Sequence, residues 1–119
     1  MRKNETLKDK NDDIKSKILQ AKRESKHLDF KEEFNPSFDS DWCEIIKDIV
    51  AFANSGGGVI MIGLQNNGTP SNKDVSGFLH IDSAQITDKI ASYTNNQFDG
   101  FCIEEAIKDN QKIALLLPY

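Results

Sequence analysis

A chain of 119 residues, 38% hydrophobic and 29% charged, has the size and balance of one soluble globular domain. No apolar run approaches the roughly 20 residues of a membrane span, and the charged start Met1-Arg2-Lys3-Asn4-Glu5-Thr6 lacks the apolar core of a secretory signal. A cytoplasmic location and no membrane partner are therefore expected. The net charge of −4 speaks against nucleic acid as a partner, but it is unevenly divided. Residues 1–26 carry nine Lys/Arg and five Asp/Glu, a net of +4, whereas residues 27–119 carry six and fourteen, a net of −8. Counterion release needs only a local basic surface, so the arm could contact phosphates. Charge alone favours the plainer reading, a solvated leader that keeps the chain soluble.

Residues 1–11 are polar and aperiodic and read as a mobile segment, with the domain proper at 12–119. A short helix is predicted from Asp12, where Asp12 and Asp13 suit the first turn. Ile14, Ile18, Leu19 and Ala21 give it a weak apolar stripe that fades near Glu24-Ser25. His27 to Phe34 alternates as a strand, with Leu28, Phe30 and Phe34 on one side and His27, Asp29, Lys31 and Glu33 on the other. Asn35-Pro36 ends it, and Phe38 is expected to pack just ahead of the next helix.

The stretch Asp41–Leu64, DWCEIIKDIVAFANSGGGVIMIGL, organises the chain. Trp42, Ile45, Ile46, Ile49, Val50 and Ala53 follow one helix face. Asp41 is placed to cap the start, with Glu44 closing a capping box, and Asn54-Ser55-Gly56 ends the helix. Val59 to Leu64 is a buried strand bounded by Gly58 and the turn Asn66-Asn67-Gly68.

Further on, Val75-Ser76-Gly77-Phe78 reads as a brief strand or extended edge. Asp82 or Ser83 caps a helix with Ile86, Ile90 and Tyr93 in register, ending by Asn95-Asn96. Phe101 to Ile107 and Lys112 to Leu117 form a hairpin about Asp109-Asn110. The predicted class is α+β, a mixed sheet packed with helices in a single compact domain. The chain stops at Tyr119, directly after an apolar strand, which suggests one module of a longer protein. Cys43 and Cys102, with no CxxC, are expected to be reduced core residues.

Three groupings could carry chemistry. In Glu24–Lys31, ESKHLDFK, Glu24 and Asp29 are carboxylates five residues apart, with His27 and Lys31 beside Asp29 on the polar face. Paired carboxylates can hold Mg²⁺ or Mn²⁺ and a lysine can hold a scissile phosphate, as a metal-dependent nuclease requires. The spacing is common, and on spacing alone an ordinary solvated strand face with a helix-end Glu is the better reading. Gly56-Gly57-Gly58 could form an anion nest, but it lies after a helix and before a strand, the reverse of a P-loop or dinucleotide fingerprint. A helix cap with a close backbone crossing is the better reading. His80 near Asp82, in a chain with two histidines and no helical HxxxH, gives no support for zinc.

The residues also resemble a known family. Glu24, Ser25, Phe30 and Lys31, then Ala51-Phe52-Ala53-Asn54-Ser55 with Gly57-Gly58, then Ile62, Gly63 and Gly68, match the motifs of the Schlafen AlbA-like domain, and Gly77 falls in a similar following segment. The resemblance covers roughly residues 20–119. It implies an α+β domain that handles DNA or RNA, usually within a larger protein acting in regulation or defence. It also implies, from animal relatives that cut transfer and ribosomal RNA, a catalytic set at Glu24, Asp29, Lys31 and Asn66, with Mg²⁺ or Mn²⁺ on Glu24 and Asp29. Two departures weaken catalysis: Asp29 stands where the family usually has Glu, and Asn66 stands at the third acidic position.

The leading expectation is therefore a DNA- or RNA-binding domain without strong catalysis. Lys15, Lys17, Lys22, Arg23, Lys26 and Lys31 would meet phosphates. A metal-dependent endoribonuclease using Glu24 and Asp29 is the first alternative, and a protein- or nucleotide-sensing assembly module is the second. Protein partners expected are a further C-terminal domain, a separate protein, or a second copy in a homodimer.

Overall fold

A computed structural model describes residues 15–95 and 100–118. After a helical turn at 15–18 the described chain forms β1 (Leu28–Lys31), α1 (Asp39–Asn54), β2 (Val59–Ile62), α2 (Ser76–Leu79), α3 (Ser83–Thr94), β3 (Phe101–Lys108) and β4 (Gln111–Pro118). The predicted segment 1–11, the predicted helix start at Asp12 and the helix end at Asn96 lie outside the described residues.

The strands make one mixed sheet in the order β1-β2-β4-β3, with β1 parallel to β2 and the other pairs antiparallel. A parallel pair needs a crossover, and α1 provides it. Register then decides what each face buries. Leu28 pairs with Val59 and Phe30 with Met61, and these side chains cluster with Ala106, Ile113, Leu115 and Leu117, under Ile18, Leu19 and Ala21. On the opposite face, Ile60, Ile62, Ala114 and Leu116 meet Trp42, Ile45, Ile46 and Ile49 of α1 and Ile86 and Ile90 of α3. Because β2 is covered on both faces, its sequence VIMI is apolar throughout and does not alternate. Each such side chain stabilises the fold by about 1.5–3 kcal/mol.

The α+β class, the central helix and strand, the Asp82 cap and the hairpin are as predicted. Asp82 accepts from the Ala84 amide. Asp109 (φ 50°) and Asn110 (φ 65°) both take the left-handed conformation that a two-residue hairpin turn demands.

Five local expectations are corrected. Strand β1 ends at Lys31, whose carbonyl accepts from both the Gly63 and Leu64 amides and so closes the ladder. Phe34 consequently leaves the Leu28–Phe30 face and stacks edge-on against Trp42 and Phe78 in the other cluster, with ring centroids 5.1 and 5.2 Å away. Helix α1 starts at Asp39 and has no side-chain cap; Asp41 instead accepts from the Asn35 amide at 2.9 Å and braces the Asn35-Pro36 turn. Val75–Phe78 is not extended: the Phe78 and Leu79 amides donate to the Val75 carbonyl, giving one helical turn that buries Val75 and Phe78. Finally, Cys43 and Phe38 are exposed, Cys43 because it lies one position past Trp42 and about 100° around the helix.

The glycine turn has a structural role. The Gly57 amide donates to the Phe52 carbonyl at 2.7 Å. A Cβ on Gly58 would lie 2.6 Å from the Phe52 ring, so only glycine permits this crossing.

Candidate functional site

Strand β1 lies at one edge of the sheet, and every second amide and carbonyl on it points outward with no strand to meet. The residues just before it fill that need. Ser25 and Leu28 exchange backbone hydrogen bonds, and the Phe30 amide donates to Glu24 Oε2 at 3.1 Å. Glu24 therefore seals the open edge and holds residues 24–25 alongside it.

Asp29 and Lys31 point to the helical side. Asp29 pairs in register with Ile60 and Lys31 with Ile62, which places both under the flank of α1. There Lys31 Nζ lies 2.6 Å from Asp48 Oδ2 and 3.2 Å from Asp29 Oδ2. The side chains of Lys31, Asp29 and Asp48 are 19%, 24% and 27% exposed, so water screens these contacts only in part. Asp29 Oδ2 is buried and has no partner in hydrogen-bond geometry, so its contact with Lys31 is electrostatic.

The carboxyl groups of Glu24 and Asp29 are within hydrogen-bond range of each other. Burial, then the Glu24 carboxylate, push Asp29 above the usual carboxylate range, while Lys31 pulls it down. Glu24 is held below its usual value by the Asp29 carboxyl and the Phe30 amide, against the effect of burial. Burial alone would lower Lys31, but Asp48 and Asp29 outweigh it and keep the ammonium charged.

Asp48 belongs to this cluster, and sequence reasoning missed it. Its one visible signal is position: it lies three residues after Ile45 and one before Ile49, at the margin of the apolar stripe of α1.

Of the other predicted residues, Asn66 adjoins the cluster and the rest are dispersed. Asn66 is exposed, in a depression with Lys31, Glu32, Glu33, Asp41 and Glu44. Lys15 pairs with Glu104 at 3.4 Å and donates to the Glu105 carbonyl. Lys17, Lys22, Arg23 and Lys26 are exposed and make no ion pair among the described residues. His27 Nδ1 donates to the Gly57 carbonyl at 2.8 Å, tying the strand start to the glycine turn.

Fitted against a divalent ion, the cluster falls short. Glu24 Oε2 is engaged by an amide, and the Lys31 ammonium stands where a cation would meet Asp29. Among the described residues no three His, Cys, Asp or Glu side chains are grouped as metal ligands. As they are grouped, the described residues do not make a Mg²⁺ or Mn²⁺ site. No described helix is long and apolar enough to cross a membrane.

A mixed sheet with a helical crossover, sealed at its edge by an acidic residue and braced by a lysine between aspartates, defines an α+β domain of one recognisable type. The chain belongs to the Schlafen AlbA_2 family: the family described as "Schlafen, AlbA_2" matches residues 24–117, from the edge-sealing glutamate to the end of the apolar run of β4. Among solved structures, the chain is similar to the DIP2311 protein from Corynebacterium diphtheriae, with a TM-score of 0.58 and 13% identity. That match covers 91% of this chain and 24% of the other, so this chain spans only a part of that protein's length. At such identity the likeness shows the fold alone. No curated protein matches.

Proposed function

We propose that this domain binds nucleic acid, DNA or RNA, through the cationic run Lys17, Lys22, Arg23 and Lys26, as a module of a regulatory or defence protein. The observation that carries the reading is that these four side chains are exposed and make no ion pair among the described residues, just before a strand edge that Ser25 and Glu24 hold. An unpaired surface cation releases condensed counterions when it meets a phosphate. Lys15 and Lys31, which already face carboxylates, contribute less. The acidic remainder of the chain repels phosphate elsewhere and so confines binding to this edge.

The test is fluorescence polarisation with tRNA, single-stranded DNA and duplex DNA, with and without Mn²⁺. Binding to at least one probe is expected, and it should weaken in a Lys22→Ala/Arg23→Ala/Lys26→Ala variant. Absence of salt-dependent binding to every probe refutes the reading.

A second reading, metal-dependent RNA cleavage, draws on the contact between the Glu24 and Asp29 carboxyl groups. The Phe30 amide already held by Glu24 Oε2 weighs against it. It would be established by tRNA cleavage in Mn²⁺ that a Glu24→Ala/Asp29→Ala variant abolishes, and it is dismissed if the two proteins are equally active.

A further inference from the structure

Away from the Glu24–Asp29 cluster, three segments far apart in sequence close around a second depression of about 400 Å³. Residues 19–22 form one wall, the turn Asn67-Gly68-Thr69 another, and Lys108-Asp109 at the β3–β4 turn the third. The walls are firmly joined. Lys108 Nζ donates to the Ala21 carbonyl at 2.8 Å. Gly68, at φ +82°, approaches so closely that a Cβ there would lie 2.5 Å from that same oxygen.

Around this depression two lysines and one side-chain amide have more donors than the described protein groups accept. Lys108 is partly buried, yet no carboxylate lies within ion-pair distance of it among the described residues. The other partly buried lysines at the sheet, Lys15 and Lys31, both have one. This partly buried ammonium has one protein carbonyl for its three protons among the described residues, and burial pulls Lys108 below its usual value. Asn67 Oδ1 accepts from both the amide and the hydroxyl of Thr69, which fixes the side chain and leaves its NH₂ with no protein partner among the described residues. Lys22 adds an exposed second cation. Asp109 is the one opposing charge on the wall.

We infer that this depression is a phosphate-binding pocket, in which Lys108, Lys22 and the Asn67 amide bind the oxygens of a phosphate group. The group could come from a nucleic-acid backbone or from a free nucleotide. Either supplies the acceptors that these donors lack, and charge-assisted hydrogen bonds of this kind are the strong ones. The inference rests on the proposed nucleic-acid reading only for the backbone source, because Lys22 is shared with the cationic run.

The test is a titration of the ¹⁵N-labelled full chain with inorganic phosphate, against chloride at equal ionic strength. Saturable amide shifts at Gly68, Thr69 and Asp109 are expected. Lys108→Met keeps the packing stem and should weaken phosphate about tenfold or more, as loss of a hydrogen bond to a charged group implies. Asp109→Asn, which tolerates the same left-handed backbone, should tighten it. Shifts that never saturate, or that Lys108→Met leaves unchanged, overturn the inference. Parallel titrations with a nucleoside triphosphate and a single-stranded oligonucleotide separate the sources. If phosphate saturates the pocket while no oligonucleotide binds, the inference stands and the nucleic-acid reading fails. If an oligonucleotide binds equally to wild type and Lys108→Met while phosphate does not saturate, the inference alone fails.

Discussion

Replacing Lys31 with methionine removes the cation that two aspartates share. The variant keeps the aliphatic stem under α1 but leaves Asp48, formerly at 2.6 Å, and Asp29, formerly at 3.2 Å, without an opposite charge. Exposed ion pairs contribute about 0–1 kcal/mol, and removing one partner of a fully buried pair costs about 3–5 kcal/mol. With these side chains 19–27% exposed, the loss should fall between, at about 2–3 kcal/mol near pH 7. In urea that is a midpoint shift of about 1–2 M. Asp29 makes the loss depend on pH. Its folded-state pKa is already raised by burial and by Glu24, and the substitution removes Lys31, which opposes them. A group whose pKa is raised on folding contributes stability that is fully present below its unfolded pKa and is lost as pH rises through the folded one. The deficit of Lys31→Met should therefore be largest at neutral pH and shrink in acid. Adding Asp48→Asn, which removes the second stranded charge, should restore about 1 kcal/mol. A loss below about 0.5 kcal/mol, or one that does not shrink as pH falls from 7 toward the ordinary Asp range, would refute the shared-cation account.

Two further substitutions or reactions bear on the fold. Gly68→Ala forces a left-handed backbone on a residue with a Cβ, at about 1–2 kcal/mol, and drives that Cβ against the Ala21 carbonyl, at about 1–3 kcal/mol more. Urea denaturation should read a combined loss of about 2–5 kcal/mol, and an unchanged midpoint would show that residues 18–22 do not rest on this turn. Cys43 is exposed, whereas burial pushes the Cys102 thiol up. A disulfide reagent near pH 8 should accordingly label one thiol rapidly and the other slowly. Two equal rates would contradict the partial burial of Cys102.

What the sequence made legible was what is local or periodic. The α1 stripe from Trp42 to Ile49 and the unbroken run of β2 announce themselves, because burial on one helix face and on both sheet faces leaves distinct patterns. The Asp82 cap and the Asp109-Asn110 turn are equally local. Contacts made across the fold were not legible. Nothing in Glu24 announces that its carboxylate will seal the amide of Phe30, since that role follows from β1 lying at the sheet edge. Asp48 joins Lys31 only because α1 crosses over β1. The turn at Ser76–Leu79 is too short for a helical period to register, and its Gly77 argues against one. The strand alternation already set Lys31 beside Asp29, but only the folded chain brings Asp48 to the same ammonium.

The central claim, that an exposed cationic run makes this a nucleic-acid-binding domain, is tested most directly by the salt dependence of oligonucleotide affinity. Each phosphate contact contributes a slope of about −0.7 to −0.9 in log K against log salt. The wild type should show a steep negative slope, and Lys22→Ala/Arg23→Ala/Lys26→Ala should lower its magnitude by about 2–3. A slope near zero in the wild type, or one that the triple variant leaves intact, would contradict the account.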